Sequence, residues 1–346
     1  MSHTFSDSRY DVSESWFRRC GRSGLQLPAV SLGVWHNFGA PGTDSLKSAN
    51  EAEIMENCRQ MLFTAFDVGI THFDIANNYG PPPGAAEERV GRILAADFAG
   101  HRDELVISSK AGYRMWPGPY GDGGSRKYLI NSCDQSLQRL NLDYLDIFYH
   151  HRPDANTPLE ETLEALDHIV NSGRALYAGI SNYYDPTLAH RVTTLCEENG
   201  WHQPIIHQFS YNMFRREGRD ELLKVNGEDG VGTIIFSPLA GGLLTGKYLK
   251  DIPADSRAAN DSVPFLKPDQ VTPEVRQKLL RLNDIASSRS QTLAQLALAW
   301  VLRHPESTSV LIGASRPSQV SDCARVLDAG PLKADEAQAI EAILAD

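Results

Sequence analysis

Leu145-Asp146-Ile147-Phe148-Tyr149-His150-His151, then Thr157-Pro158-Leu159-Glu160, then Ala175-Leu176-Tyr177-Ala178-Gly179-Ile180-Ser181-Asn182 is the stretch from which the architecture follows. The outer two segments are short apolar runs of strand length. Between them Leu159, Leu163, Leu166, Ile169 and Val170 repeat at helical spacing and mark one face. Thr157 offers an N-cap, Pro158 suits the first helical position, and Glu160 completes a capping box. Strand, helix and strand in this order form the crossover unit of a parallel sheet.

The same unit repeats in both directions. Further strand candidates are Ala29–Val34, Thr71–Ala76, Glu104–Lys110, Ile205–Asn212, Gly232–Ala240 and Thr308–Ser315, making eight with the first two. Most lack inside–outside alternation, as expected of strands covered on both sides. Asp185-Pro186 and Thr272-Pro273 repeat the capping device ahead of later helices. Eight strands with eight crossovers predict an α/β fold, a closed (β/α)8 TIM barrel. A doubly wound sheet would carry a Gly-rich turn after its first strand, and Gly33-Val34-Trp35-His36 is not one. Arg18 to Leu27 reads as an N-terminal β-hairpin that would plug the bottom of the barrel. Gly241 to Pro273 has no clear period and is too long for an ordinary connection, so we expect a functional loop. Residues 1–15 read as a loose leader, and residues 16–346 as one domain with extended loops at its C-terminal face.

Composition narrows the function. With 41% apolar and 22% charged residues the chain is globular in character. A net charge of −11, with basic runs no longer than Arg18-Arg19 or Arg215-Arg216, argues against nucleic-acid binding. No apolar stretch reaches membrane-spanning length, and the polar start is no signal peptide, so a cytoplasmic protein without membrane insertion is expected. The cysteines, Cys20, Cys58, Cys133, Cys196 and Cys323, are odd in number and widely spaced, which disfavours a disulfide framework or a zinc knuckle.

In such a barrel the chemistry gathers where the strands end. Asp74, Asn77, Asn78 and Tyr79 stand at the second strand end and Lys110 at the third. His150 and His151 stand at the fourth, Ser181-Asn182 at the fifth, Gln208 in the sixth and Ser237 at the seventh. Adjacent His150 and His151 point to opposite faces, so a metal site is not expected. Asp74, Tyr79, Lys110 and His151 combine coherently instead. A phenol titrates at about pH 10, and a nearby ammonium lowers that value, with a carboxylate holding the ammonium in place. A neutral imidazole orients a carbonyl oxygen toward the phenol. This set is a general acid for an oxygen becoming an alkoxide, as when a carbonyl accepts hydride.

These residues and their order resemble the aldo-keto reductase superfamily over nearly the whole chain. The segments are Asp74-Ile75-Ala76-Asn77-Asn78-Tyr79-Gly80, Ser109-Lys110-Ala111-Gly112, the strand ending His151-Arg152-Pro153, and Gly179-Ile180-Ser181-Asn182. The resemblance places the catalytic role on His151 rather than His150. It implies NADPH across the barrel mouth, with Ser181, Asn182 and Gln208 on the nicotinamide amide, Phe236 stacked on its ring and Trp35 nearby. Ser237, Leu239, Gly241 and Lys247 would line the pyrophosphate. Gly313, Ser315 and Arg316 would hold the 2′-phosphate end, with Gln319 as an adenosine contact. Asp322-Cys323 departs from the Glu-Asn often found there. Within the superfamily the chain looks most like the branch of potassium-channel β subunits and bacterial reductases of phosphorylated aldehydes. That implies a homo-oligomer, a tetramer or larger. It also implies a small aldehyde substrate, L-glyceraldehyde 3-phosphate first, with Arg114, Arg126 and Lys127 supplying charge and Trp35 and Trp116 walling the pocket. The alternatives are a broad carbonyl or methylglyoxal reductase and an NADPH-sensing regulatory subunit.

Overall fold

The computed structural model describes residues 3–42, 49–253, 256–259 and 266–346. Its first paired strands are β1 (Phe17–Arg19) and β2 (Gln26–Pro28), an antiparallel hairpin in the register Arg18 to Leu27. Cys20, Leu25 and Leu27 of this hairpin cluster with Ile147, Tyr149, Ile206, Ile234 and Leu311 inside the barrel. The backbone N–H of Arg22 donates to the Gly230 carbonyl at 2.8 Å. The hairpin therefore caps the end where the strands begin.

The barrel strands are β3 (Val30–Gly33), β4 (His72–Asp74), β5 (Val106–Ala111), β6 (Leu145–His150), β7 (Ala175–Ser181), β8 (Ile206–Ser210), β9 (Gly232–Phe236) and β10 (Ser307–Ile312). They close in chain order, with β10 pairing parallel to both β9 and β3. The expected eight strands and the (β/α)8 barrel are present.

The helices are α1 (Glu51–Asp67), α2 (Ala85–Asp97), α3 (Arg126–Leu140), α4 (Leu159–Asn171), α5 (Pro186–Asn199), α6 (Arg219–Asp229), α7 (Pro273–Ser288), α8 (Leu293–Leu302), α9 (Pro317–Ala324) and α10 (Ala334–Ala345). On α4, Leu163, Leu166 and Ile169 are buried, which is the face read from their spacing. Asp185 caps α5 and Thr272 caps α7, each with proline at the first helical position. The expected cap at Thr157 is corrected. Pro158 takes the cap position of α4, and the Thr157 hydroxyl donates instead to Asp154 at 2.7 Å. Asp154 also accepts the Asn156 and Gly124 amides, so it organises the turn before the helix.

Within the stretch before Trp16, expected to be loose, Phe5, Arg9 and Tyr10 have partners in the body of the fold. Phe5 is only 8% exposed and meets Phe63, Phe66 and Phe98 at ring separations of 5.4, 4.9 and 4.8 Å. Burying one such ring is worth about 1.5–3 kcal/mol. Arg9 and Tyr10 both donate to Glu104 at 2.6 Å, and the Trp16 indole donates to the Gly69 carbonyl at 2.8 Å. In the loop after β9, single turns occupy Ala240–Thr245, Arg257–Ala259 and Pro268–Gln270, while residues 254–255 and 260–265 lie outside the described residues. Among the described residues no helix is long and apolar enough to cross a membrane.

Candidate active site

Strand periodicity builds the floor of the site. Asp74 on β4 and Lys110 on β5 face the barrel interior, and both are fully buried. The Lys110 ammonium donates to Asp74 Oδ2 at 2.6 Å and to the Ile75 carbonyl. Asp74 Oδ1 accepts from Ser108 Oγ at 2.6 Å and from Gln208 Nε2 at 3.1 Å. Burial pulls the Lys110 pKa down and Asp74 opposes it, with a net lowering. A buried ion pair persists when its remaining hydrogen-bond capacity is filled in this way.

Tyr79 lies just beyond β4, its ring centre 5.0 Å from Lys110 Nζ. Its pKa does not fall as the sequence led us to expect. Burial, and then the negative charge of Asp74, push the phenol well above its ordinary value. Lys110 is already committed to Asp74 and the Ile75 carbonyl, so its charge does not outweigh the desolvation. The phenol is therefore fully protonated at neutral pH. His151 meets Tyr79 edge-on at 5.8 Å, and burial followed by Lys110 holds it well below the ordinary histidine range. Its imidazole is neutral, with a buried Nδ1 that has no hydrogen-bond partner among the described residues. His150 points the other way, with Nδ1 2.7 Å from the Tyr183 hydroxyl, and burial lowers its pKa to about 4.

An aromatic rim surrounds these groups. Trp35, 38% exposed, lies 6.0 Å from the Tyr79 ring. Trp116 packs on Tyr128 at 5.4 Å, and the Tyr128 hydroxyl donates to the Tyr113 carbonyl. Tyr113 was missed in the sequence. It stands edge-on to His151 at 4.6 Å and carries the Arg152 guanidinium 4.9 Å over its ring. The available signal was an aromatic residue three positions beyond Lys110.

The substrate cations divide. Arg114 is exposed in the loop after β5. Arg126 is turned to α4, 3.3 Å from Glu164, and Lys127 lies 5.4 Å over the Tyr120 ring. Arg126 thus engages the neighbouring helix, while Lys127 stays exposed over a loop ring. The phase of α3 decides this, because its first turn faces α4.

A continuous row of candidate cofactor groups follows the ends of β7, β8, β9 and β10. Asn182, at φ 62°, donates from Nδ2 to the His151 carbonyl at 2.9 Å and to Ser181 Oγ at 3.1 Å. Its backbone N–H donates to the Gln208 carbonyl at 2.9 Å, which ties this group to the acid–base residues. Phe236 is half-buried at the end of β9, and Ser237 follows, exposed and at φ 54°. Such backbone in residues other than glycine tends to collect at functional sites. Leu239 is half-buried and Lys247 exposed. Gly241 and Gly242 hold φ 69° and 108°, and a side chain on Gly242 would point into open space. Two successive left-handed glycines, five residues before Lys247, give a backbone bend of the kind that approaches phosphate oxygens closely.

After β10, Gly313 is exposed, and Ser315 donates from its amide and hydroxyl to Gln319 Oε1 at 2.8 and 3.1 Å. Arg316 is exposed at the start of α9. Asp322 is turned toward the first turn of α8, accepting from Thr292 Oγ1 and Gln295 Nε2 at 3.2 and 3.0 Å. The donor set thus fits an elongated dinucleotide with an anionic far end.

Residues 30–345 match the Aldo/keto reductase family. The chain is 51% identical over 334 residues to L-glyceraldehyde 3-phosphate reductase of Escherichia coli strain K12, covering 95% of this chain and 92% of that protein. It is 36% identical over 323 residues to a probable voltage-gated potassium channel subunit beta of Arabidopsis thaliana, covering 91% and 92%. The corresponding rice protein is 36% identical over 335 residues, covering 95% and 96%.

Proposed function

The chain belongs to the aldo/keto reductase family, and on that footing we propose that it is an NADPH-dependent reductase of small aldehydes whose preferred substrate is L-glyceraldehyde 3-phosphate. The carrying observation is the Tyr79 phenol set 5.0 Å from the ammonium of the buried Lys110–Asp74 pair and edge-on to His151. The substrate rests on the 51% identity with the E. coli reductase. A reduced nicotinamide bound along β7 to β10 supplies the hydride. Ser181, Asn182 and Gln208 would hold its amide, Phe236 and Trp35 its ring, and Ser237, Leu239, Gly241 and Lys247 its pyrophosphate. Gly313, Ser315, Arg316 and Gln319 would hold the adenosine 2′-phosphate end.

Tyr79 gives its proton to the carbonyl oxygen as negative charge grows there. The Lys110 ammonium beneath the ring then stabilises the phenolate left behind. His151 orients the carbonyl oxygen, and Trp35 and Trp116 wall the pocket. Arg114 and Lys127 are the exposed cations nearest in sequence to the Lys110 loop, and they offset the overall charge of −11 for an anionic substrate. Arg126 is engaged with Glu164 and is not assigned this role. A cytoplasmic homo-oligomer belongs to the same reading.

The test is the rate of NADPH oxidation with L-glyceraldehyde 3-phosphate, its D-isomer, glyceraldehyde and methylglyoxal, with NADH run alongside. A marked kcat/KM preference for the phosphorylated L-isomer supports the proposal. A flat profile reassigns the chain to broad carbonyl reduction. Tight NADPH binding without turnover would favour a sensing role, to which the 36% identity with channel beta subunits points.

A further inference from the structure

Below the Asp74–Lys110 pair a row of small polar side chains crosses the barrel interior. Ser309 Oγ on β10 lies 2.7 Å from Ser31 Oγ on β3, which lies 2.9 Å from His72 Nδ1 on β4. His72 Nε2 lies 3.0 Å from Ser108 Oγ on β5, and Ser108 donates to Asp74 Oδ1 at 2.6 Å. All five residues are fully buried. His72 and Asp74, like Ser108 and Lys110, are two apart on one strand, so the row forms the layer directly beneath the reacting residues.

The direction of every link follows from the number of protons available. An ionised carboxylate only accepts, so the single Ser108 proton must go to Asp74. Ser108 can then only accept from His72, which requires the proton on Nε2. A neutral imidazole has one N–H, leaving Nδ1 as an acceptor that the Ser31 hydroxyl must fill. Ser31 in turn accepts from Ser309. The other tautomer would set two lone pairs against each other at 3.0 Å. Burial lowers the His72 pKa to about 4, which agrees with a neutral ring.

We propose that His72 is a positioning residue for carbonyl reduction, the central link of a one-way hydrogen-bond chain from Ser309 to Asp74 that holds the Asp74 carboxylate against Lys110. This rests on the reading of Tyr79 and Lys110 given above. Aligned donors polarise one another in a low-dielectric interior, and each points its positive end toward Asp74. Without them Asp74 is held less firmly against Lys110, and Lys110 loses part of what opposes its desolvation.

The groups facing Lys110 are Asp74, Tyr79, Tyr149 and His151, with Glu87 acting from α2. Those facing His72 are Asp74 and Lys110. Among the described residues, Asp74 Oδ1 accepts from Ser108 and Gln208. The pH profile of turnover therefore reports the chain.

The test combines His72→Leu, His72→Gln, Ser31→Ala and Ser309→Ala with pH profiles of kcat/KM and with nitrogen NMR of His72 in the wild-type protein. The expected NMR result is the Nε2–H tautomer. His72→Leu should move the alkaline limb of the profile down by about half a unit or more. His72→Gln, which restores a donor toward Ser108, should recover much of that shift, and Ser309→Ala should shift it least. An Nδ1–H tautomer overturns the proposal. So does a His72→Leu or Ser31→Ala protein that loses thermal stability while its profile stays in place. If His72→Leu does not fold, Ser31→Ala and the tautomer still decide. Absence of aldehyde reduction in the wild type would sink the functional reading alone, since the tautomer is read without turnover.

Discussion

A methyl group on Gly112 would stand 3.0 Å from the Cβ of His151 and 3.1 Å from its backbone nitrogen. Gly112 also holds φ 155°, which side chains rarely adopt. The glycine therefore lets β5 and β6 end close enough for the imidazole to reach Tyr79 and Tyr113. Gly112→Ala should lower kcat by about tenfold or more, because a small misplacement of a catalytic group is costly. NADPH affinity, followed by fluorescence titration, should stay within about twofold. A larger loss of affinity than of turnover would contradict this placement.

Tyr79→Phe removes the proton donor and keeps the ring against Trp35 and Lys110. Turnover should fall by about 10²–10⁴-fold, the range expected for a lost general acid. Cofactor affinity should barely move, and equilibrium binding beside steady-state kinetics separates the two effects.

Arg316 stands exposed before α9, where a guanidinium suits a phosphate dianion. Replacing it by leucine should weaken NADPH binding by about tenfold and leave NADH nearly unaffected. Equal losses for both cofactors would place Arg316 away from the 2′-phosphate.

Glu104 provides a pH-dependent check on the N-terminal packing. Burial would raise its pKa, but hydrogen bonds from Tyr10, His101 and Arg9 outweigh that and take it to about 2. A carboxylate depressed in the folded state adds stability that is complete above its unfolded value and fades as pH falls toward the folded one. Glu104→Gln should therefore lower Tm clearly at pH 7. The gap from wild type should narrow steadily below about pH 4.5. Thermal melts across that range decide it, and a gap independent of pH would assign the loss to packing.

The barrel was legible because its strands are covered on both faces and so read as unbroken apolar runs. Their places at the ends of neighbouring strands likewise grouped Asp74 and Lys110 in the sequence. Strand ends were less legible: Thr71–Ala76 shortens to His72–Asp74 because the chain leaves the sheet as soon as it begins to carry the site. The anchoring of Phe5 left no trace, since one aromatic residue in a polar stretch has no period. The neighbours of Arg126 and Lys127 were hidden for a related reason. Their charge is visible in the sequence, but the way α3 faces α4 is a packing outcome. The Tyr79 electrostatics failed differently: pairing Lys110 with Asp74 weakens the field that a free ammonium would have exerted on the phenol, and burial outweighs what is left.

Ser31 and Ser309 touch although 278 residues separate them. During synthesis, all four residues from Asp74 to His151 leave the ribosome long before β10 does. A nascent chain at that stage holds every reacting group yet lacks the last strand that completes their support. Distant pairings of this kind form late, because the loop they close is long. The onset of turnover therefore marks closure of the barrel, and partly made chains stay chemically silent.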